Sequence, residues 1–273
     1  MNKNYLPVKR IPLFLLLITI FNSCQKTESF QPCRLEKWVQ ENPLNKSFHY
    51  DNISLKDGRI EKMFSYDIDI NKDTLNKVIV FFEYNQKGKV KAVRDESNPF
   101  RVKRFEGVYD NKDKLTGIIQ KTDNNIEDEI VIDYDAQNRL VGVTSRYLLG
   151  INRNIDYDAN GNPYSIFRGD VTSTPSISEY TFDDKRNFFS GIPEIQFYWI
   201  FRPQSSFVPF GDNNIVSTKL YLFDGKEFTE ATNQRSKREI SYNEKGYPET
   251  IKIIRENLSS TVTNISSFGY LCN

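Results

Sequence analysis

Apolar and polar residues alternate along most of the chain, and one short polar motif interrupts the alternation at near-constant intervals. Four copies are Phe82-Glu-Tyr84-Asn-Gln-Lys-Gly88-Lys-Val90, Gly107-Val-Tyr109-Asp-Asn-Lys-Asp113-Lys-Leu115, Ile132-Asp-Tyr134-Asp-Ala-Gln-Asn138-Arg-Leu140 and Ile155-Asp-Tyr157-Asp-Ala-Asn-Gly161-Asn-Pro163. Two more are Tyr180-Thr-Phe182-Asp-Asp-Lys-Arg186-Asn-Phe188 and Ile240-Ser-Tyr242-Asn-Glu-Lys-Gly246-Tyr-Pro248, and Leu55-Lys-Asp57-Gly58-Arg-Ile60 is a degenerate earlier copy. The central aromatics are separated by 25, 25, 23, 25 and then 60 residues.

The motif has a mechanical reading. An aromatic ends one strand, and Asp or Asn opens a turn by accepting hydrogen bonds from its own backbone two residues on. Three residues later stands Gly, Asn or Asp, the types that tolerate positive φ. A basic or amide residue and an apolar one then start the return strand, as in a type I turn closed by a left-handed residue. Arg186 breaks the rule, so an irregular turn is expected there. Each unit of about 25 residues therefore predicts a hairpin. The series predicts an all-β antiparallel meander of about 12 or more strands, a width at which strand twist curls a sheet into an open roll or half-barrel, or folds it into a sandwich. A transmembrane barrel is disfavoured, because Glu83, Lys91 and Asp133 punctuate the strands.

The repeat fails over about residues 188–218, where Ile192-Pro-Glu-Ile-Gln-Phe-Tyr-Trp-Ile-Phe201 is followed by Pro203 and Pro209. The prolines forbid a long helix. Two readings remain open: the aromatics plug the concave face of the sheet, or Phe197, Tyr198, Trp199 and Phe201 form a platform that stacks on a glycan or an envelope protein.

The N-terminus sets the compartment. Lys3, Lys9 and Arg10 precede the apolar run Ile11–Phe21, which Asn22 and Ser23 end before the roughly 20 residues that a spanning helix needs. Phe21-Asn22-Ser23-Cys24 resembles the lipobox of lipoproteins, in the looser form of Bacteroidota-type bacteria, with Phe21 and Asn22 departing from the usual pattern. That resemblance implies a signal peptide over 1–23, palmitate-type acylation of Cys24, a tether over 24–32 and one β-repeat domain over 33–273. It also implies attachment to the outer membrane, on either face.

Composition narrows the function. The 37 basic and 36 acidic residues argue against nucleic-acid binding, and the abundant Tyr and Phe favour strands. Besides Cys24 the chain holds only Cys33 and Cys272, near the two ends of the mature domain. In an oxidising compartment these predict one disulfide, with a stabilisation of about 4–5 kcal/mol in the chain-entropy model. A catalytic or metal-binding thiol pair is the poorer alternative, since His49 is the single histidine. Neither a metal nor a cofactor is expected. Asp156 to Asn162 has the spacing of a calcium loop, but Phe167 occupies the position of the bidentate Glu.

The tyrosine–aspartate turns resemble the YD repeats of Rhs-type proteins, and more closely the β-meander domains of unknown function carried by Bacteroidota lipoproteins. The likeness runs from about Asp57 to Tyr247 and speaks to architecture alone. The leading expectation is a non-enzymatic binding or structural module of the envelope. The alternative is a glycan hydrolase using carboxylates on the concave face, drawn from Glu127, Asp128, Glu129, Asp133, Asp135 and Asp156.

Overall fold

The alternating segments form strands, and the Asx-Gly motifs form the turns between them. The computed structural model describes residues 34–42, 47–69, 71–147, 150–169, 173–187, 189, 192–201, 210–255 and 261–271. Cys24, the tether, Cys33 and Cys272 lie outside these residues. The strands are β1 (Arg34–Asn42), β2 (Ser47–Lys56), β3 (Arg59–Ile68), β4 (Thr74–Tyr84), β5 (Val90–Asp95), β6 (Lys103–Tyr109), β7 (Leu115–Thr122), β8 (Asn125–Tyr134) and β9 (Leu140–Ser145). They continue with β10 (Asn152–Tyr157), β11 (Pro163–Arg168), β12 (Ser176–Arg186), β13 (Asn213–Phe223), β14 (Phe228–Glu230), β15 (Ser236–Tyr242), β16 (Pro248–Arg255) and β17 (Thr261–Leu271). An α-helix, α1 (Pro193–Phe201), lies between β12 and β13.

The turns follow the sequence rule closely. Asn85, Asp110, Asp135, Asp158 and Asn243 each accept backbone N–H bonds from residues two or four positions on. Gly88, Asp113, Asn138, Gly161 and Gly246 have φ between 60° and 84°. The register slips by one residue at Tyr84, Tyr109, Tyr134, Tyr157 and Tyr242, so each turn ends in a bulge. At the degenerate copy Asp57 and Gly58 both have positive φ, the geometry of a two-residue hairpin. Arg186 makes no such turn; β12 runs through it, pairs it with Asn213, and leads into the interruption.

The sheet is closed, which corrects the expected open roll, half-barrel or sandwich. Consecutive strands pair antiparallel, except that β14 and β15 both pair with β13, and β1 pairs with β17 from Arg34↔Leu271 to Glu41↔Ile265. Short β14 and β15 lie along the same side of β13, so sixteen strand positions complete the ring. The physical reason is that accumulated twist brings the two terminal strands together, and pairing them satisfies the backbone groups that an open edge would expose.

The two faces of the barrel are chemically opposite. The inward rows carry Val80, Val93, Ile118, Ile130, Val143 and Ile166, all at most 2% exposed. Outward rows carry charge. Arg104 on β6 reaches across β5 to bind both oxygens of Glu83 at 2.5 and 2.7 Å and also bonds Glu106, whose other oxygen accepts from Lys121 at 2.6 Å. Ala92 stands between Glu83 and Glu106 in this row and is fully buried, because its small side chain lets the longer ones close over it. The Arg104 guanidinium beside Glu83, and the Lys121 ammonium beside Glu106, hold both carboxyls below their ordinary range.

Helix α1 lies inside the ring. Pro193 and Glu194 suit a helix start, and the following residues are apolar on all sides, as a fully enclosed helix requires. Phe201 stacks on Phe105 of β6 at 3.8 Å. Arg153 of β10 donates to the Ile200 carbonyl and lies over Trp199, while Tyr84 of β4 meets Glu194 at 2.7 Å. Phe189 packs on Trp38, which stacks on Phe268 across the closing seam. Sixteen-stranded porins leave an aqueous channel; here the helix and its aromatics occupy the lumen.

Candidate functional site: a basic-rimmed cleft at the turn end

The motif tyrosines build one end of the barrel. Tyr84, Tyr109, Tyr134 and Tyr157 each donate the hydroxyl to a carbonyl at the start of the return strand of the preceding hairpin, and Tyr270 of β17, outside the motif, does the same, whereas the motif's Tyr242 donates to Asp183. The pairs are Tyr84 to Ile60, Tyr109 to Val90, Tyr134 to Leu115, Tyr157 to Leu140 and Tyr270 to Pro248, at 2.6–2.8 Å. Burial raises the hydroxyl pKa of Tyr109 and Tyr134 to about 12, so they remain donors. The basic residue of the motif covers the next ring: Arg59 lies over Tyr84, Lys114 over Tyr134 and Arg139 over Tyr157. Thus the motif joins each hairpin to the next as well as turning the chain.

Between this tyrosine rim and α1 lies an open cleft of ≈ 550 Å³, within the range of about 300–1,000 Å³ common for ligand sites. Lys89, Lys114 and Arg139, from three successive hairpins, bring cations to it. Its apolar wall comes from Leu115 and Leu140 on the barrel and from Phe197 and Ile200 on the helix. Arg139 is held by Asp135 at 2.7 Å, and Asp113 by Lys87 at 2.8 Å. Among the described residues the Lys89 and Lys114 ammoniums have no carboxylate partner within salt-bridge distance. Asp212 adds an acidic group at the helix side.

The residues singled out by sequence are dispersed. Phe197, Tyr198, Trp199 and Phe201 are 2%, 4%, 0% and 8% exposed and pack within the barrel; of these four, Phe197 edges the cleft. Asp133 and Asp156 are exposed on outward rows. Glu129 is paired with Arg146 on the outside, Glu127 pairs with Arg101 and also accepts from the buried Gln120 amide at 2.6 Å, and Asp128 is buried and accepts backbone N–H bonds from Glu129 and Tyr147. These carboxylates therefore share no cleft. Metal-binding groups of three or more His, Cys, Asp or Glu are absent among the described residues.

His49 is not placed as a triad base. Its Nε2 lies 3.2 Å from Asp51 and its Nδ1 2.6 Å from Asp67. Ser65 donates to Asp51 rather than to the imidazole. The hydrogen bond to Asp51, with Asp67 adding to it, raises the His49 pKa to about 9, so the ring is cationic at neutral pH. Sequence reading also missed an outer aromatic ladder on β2 and β3, although Phe48-x-Tyr50 and Phe64-x-Tyr66 signal it by their spacing of two. Tyr50 and Tyr66 stack at 5.0 Å, and Lys37 and Lys62 cover the ladder from its sides.

Together these features define a closed antiparallel barrel with a filled lumen and a cleft at its turn end. No family model matches the chain, and no curated protein matches it; the YD-repeat resemblance thus has no family match behind it. Among solved structures, the chain is similar to a porin-like protein from Bacteroides uniformis ATCC 8492. The identity is 10% with a TM-score of 0.56, over 88% of this chain and 99% of that one. It is also similar to a porin-like protein from Bacteroides vulgatus ATCC 8482, at 11% identity and a TM-score of 0.41, over 87% of this chain and 98% of that one. The first of these likenesses establishes a shared barrel fold.

Proposed function

We propose that this chain is a non-enzymatic barrel protein of the bacterial envelope, lipid-anchored at the outer membrane through Cys24 and standing in water. The observation that carries the reading is the polarity of the barrel. A membrane barrel has an apolar band outside and a polar interior, and a Lys or Arg on its lipid face costs about 2–4 kcal/mol at the bilayer midplane. This barrel turns Glu83, Arg104, Glu106 and Lys121 outward and fills its lumen with apolar side chains. A porin-like backbone is here used for a different purpose from conduction. The lipobox-like Phe21–Cys24 segment supports membrane attachment by acylation, since the barrel surface itself offers lipid no apolar band.

A disulfide between Cys33 and Cys272 belongs to the same reading. The described ends of the terminal strands pair Arg34 with Leu271, each next in sequence to one of the cysteines, and an oxidising envelope favours joining two such thiols.

Fractionation tests the proposal. The wild-type chain is expected in the membrane fraction, and the Cys24→Ser chain is expected to be monodisperse in buffer without detergent. A Cys24→Ser chain that stays monodisperse only in detergent would show that the barrel itself contacts lipid, and the reading would fail.

A further inference from the structure

We propose that the turn-end cleft binds one anionic amphiphile, with its charged group among Lys89, Lys114 and Arg139 and its apolar part against Leu115, Phe197 and Ile200. The argument begins with the lining. Lys89, Lys114 and Arg139, from successive hairpins, line a single cleft against Asp113, which Lys87 neutralises, and Asp212; Arg139 is paired with Asp135, and neither ammonium has a carboxylate within salt-bridge distance among the described residues. Such a rim attracts an anion. A free inorganic anion would leave the wall formed by Leu115 and the helix uncovered, whereas an apolar chain attached to the anion removes that surface from water. The two halves of the cleft thus call for two halves of one ligand.

Topology adds a second, independent observation. Strands β2, β4, β6, β8 and β10 all end at the cleft side, so antiparallel pairing starts β1 and ends β17 there too. The chain therefore enters the barrel at Arg34 beside the cleft, ten residues after Cys24. At about 3.3–3.6 Å per residue those ten steps reach about 35 Å at most. If Cys24 is acylated, as proposed above, the cleft end is the end held near the bilayer, and the loops carrying exposed Phe100 and Tyr147 lie at the far end. The membrane is then the natural source of the ligand, although a free fatty acid or alkyl phosphate has the same chemistry. The charge and apolar wall of the cleft stand without the anchor; only the source rests on it.

The test uses the Cys24→Ser chain titrated calorimetrically with octyl phosphate, octanoate, octanol and inorganic phosphate, all below micelle-forming concentrations. Octyl phosphate and octanoate are expected to bind at one site, at least tenfold more tightly than octanol or inorganic phosphate. Lys89→Glu with Lys114→Glu is expected to weaken octyl phosphate at least tenfold while leaving the melting temperature within a few degrees. Lys226→Glu with Lys245→Glu, at exposed turn lysines outside the cleft lining, controls for net charge and should bind normally. Equal binding of octanol and octyl phosphate would overturn the proposal, as would unchanged binding in the Lys89 and Lys114 double variant. Vesicles of phosphatidylcholine with and without phosphatidylglycerol then separate the sources for the wild-type lipidated chain. Capture of phosphatidylglycerol from vesicles, lost in the double variant, identifies the bilayer, and its absence beside intact octyl phosphate binding identifies a free amphiphile. A Cys24→Ser chain that needs detergent would instead fail the water-facing reading before any ligand is added.

Discussion

His49 sits between two carboxylates, and this gives the barrel a dependence on pH with a definite sign. Its pKa is about 9 in the folded chain, against about 6.5 when unfolded. A raised folded pKa stabilises fully below the unfolded value and is lost as pH rises through the folded one. The contribution is at most about 3 kcal/mol, and the 29% exposure of the side chain keeps it below that limit. In denaturant unfolding, the stability gap between wild type and His49→Gln should narrow between about pH 6 and about pH 9.5. A gap that holds constant would mean that the imidazolium charge contributes nothing. The motif tyrosines make a second prediction at this scale. Tyr134→Phe removes the hydroxyl bonded to the Leu115 carbonyl and should cost about 0.5–1.5 kcal/mol, read as a lower denaturation midpoint at unchanged slope.

At the scale of elements, α1 decides how the interior is filled. Trp199 is fully buried and lies against Arg153 and Phe210. Trp199→Ala should therefore destabilise by about 3–5 kcal/mol, and calorimetric unfolding checks it. Gly107 marks where β6 passes the helix: a Cβ there would lie 3.0 Å from Phe197 and 2.8 Å from Tyr109. Gly107→Ala is expected to cost about 1–3 kcal/mol through overpacking, with part of that cost recovered beside Phe197→Leu. No recovery would show that the helix does not press on β6. The sequence reading held two uses open for these aromatics, and neither local pattern nor composition separates them. Their burial places them in the core, with Phe197 alone among them also bordering the cleft.

For the whole molecule the closing seam matters most. Removing any one strand from the ring would expose the backbone groups of its two neighbours, so a covalent link between β1 and β17 would act on the ring as a unit. Thiol titration of the unreduced, denatured chain, with Cys24 replaced by Ser, should find no free thiols, and Cys33→Ser should lower stability by up to about 4–5 kcal/mol. Two free thiols would remove the disulfide. The outward charges make the further prediction that the purified chain supports no ion conductance in planar bilayers, since its lumen is packed and, on the proposed reading, its charged surface stands in water. Steady channel openings would contradict the packed interior.

The hairpins were determined by the sequence alone, because an Asx residue, a left-handed residue three positions later and an alternating flank are all local requirements. Asn85 with Gly88 and Asp135 with Asn138 carry that information within four residues. The bulge and the cross-hairpin tyrosine bond follow from the same motif, but the bond's acceptor, nineteen residues upstream for Tyr134, is visible only once the strands are side by side. Closure of the sheet was decided by tertiary structure. It depends on pairing residues such as Trp38 and Phe268, which are 230 positions apart and leave no periodic trace. The cleft has the same origin. Lys89, Lys114 and Arg139 look like ordinary turn cations one at a time, and they share one cleft because a closed ring directs successive turns toward one face of the helix.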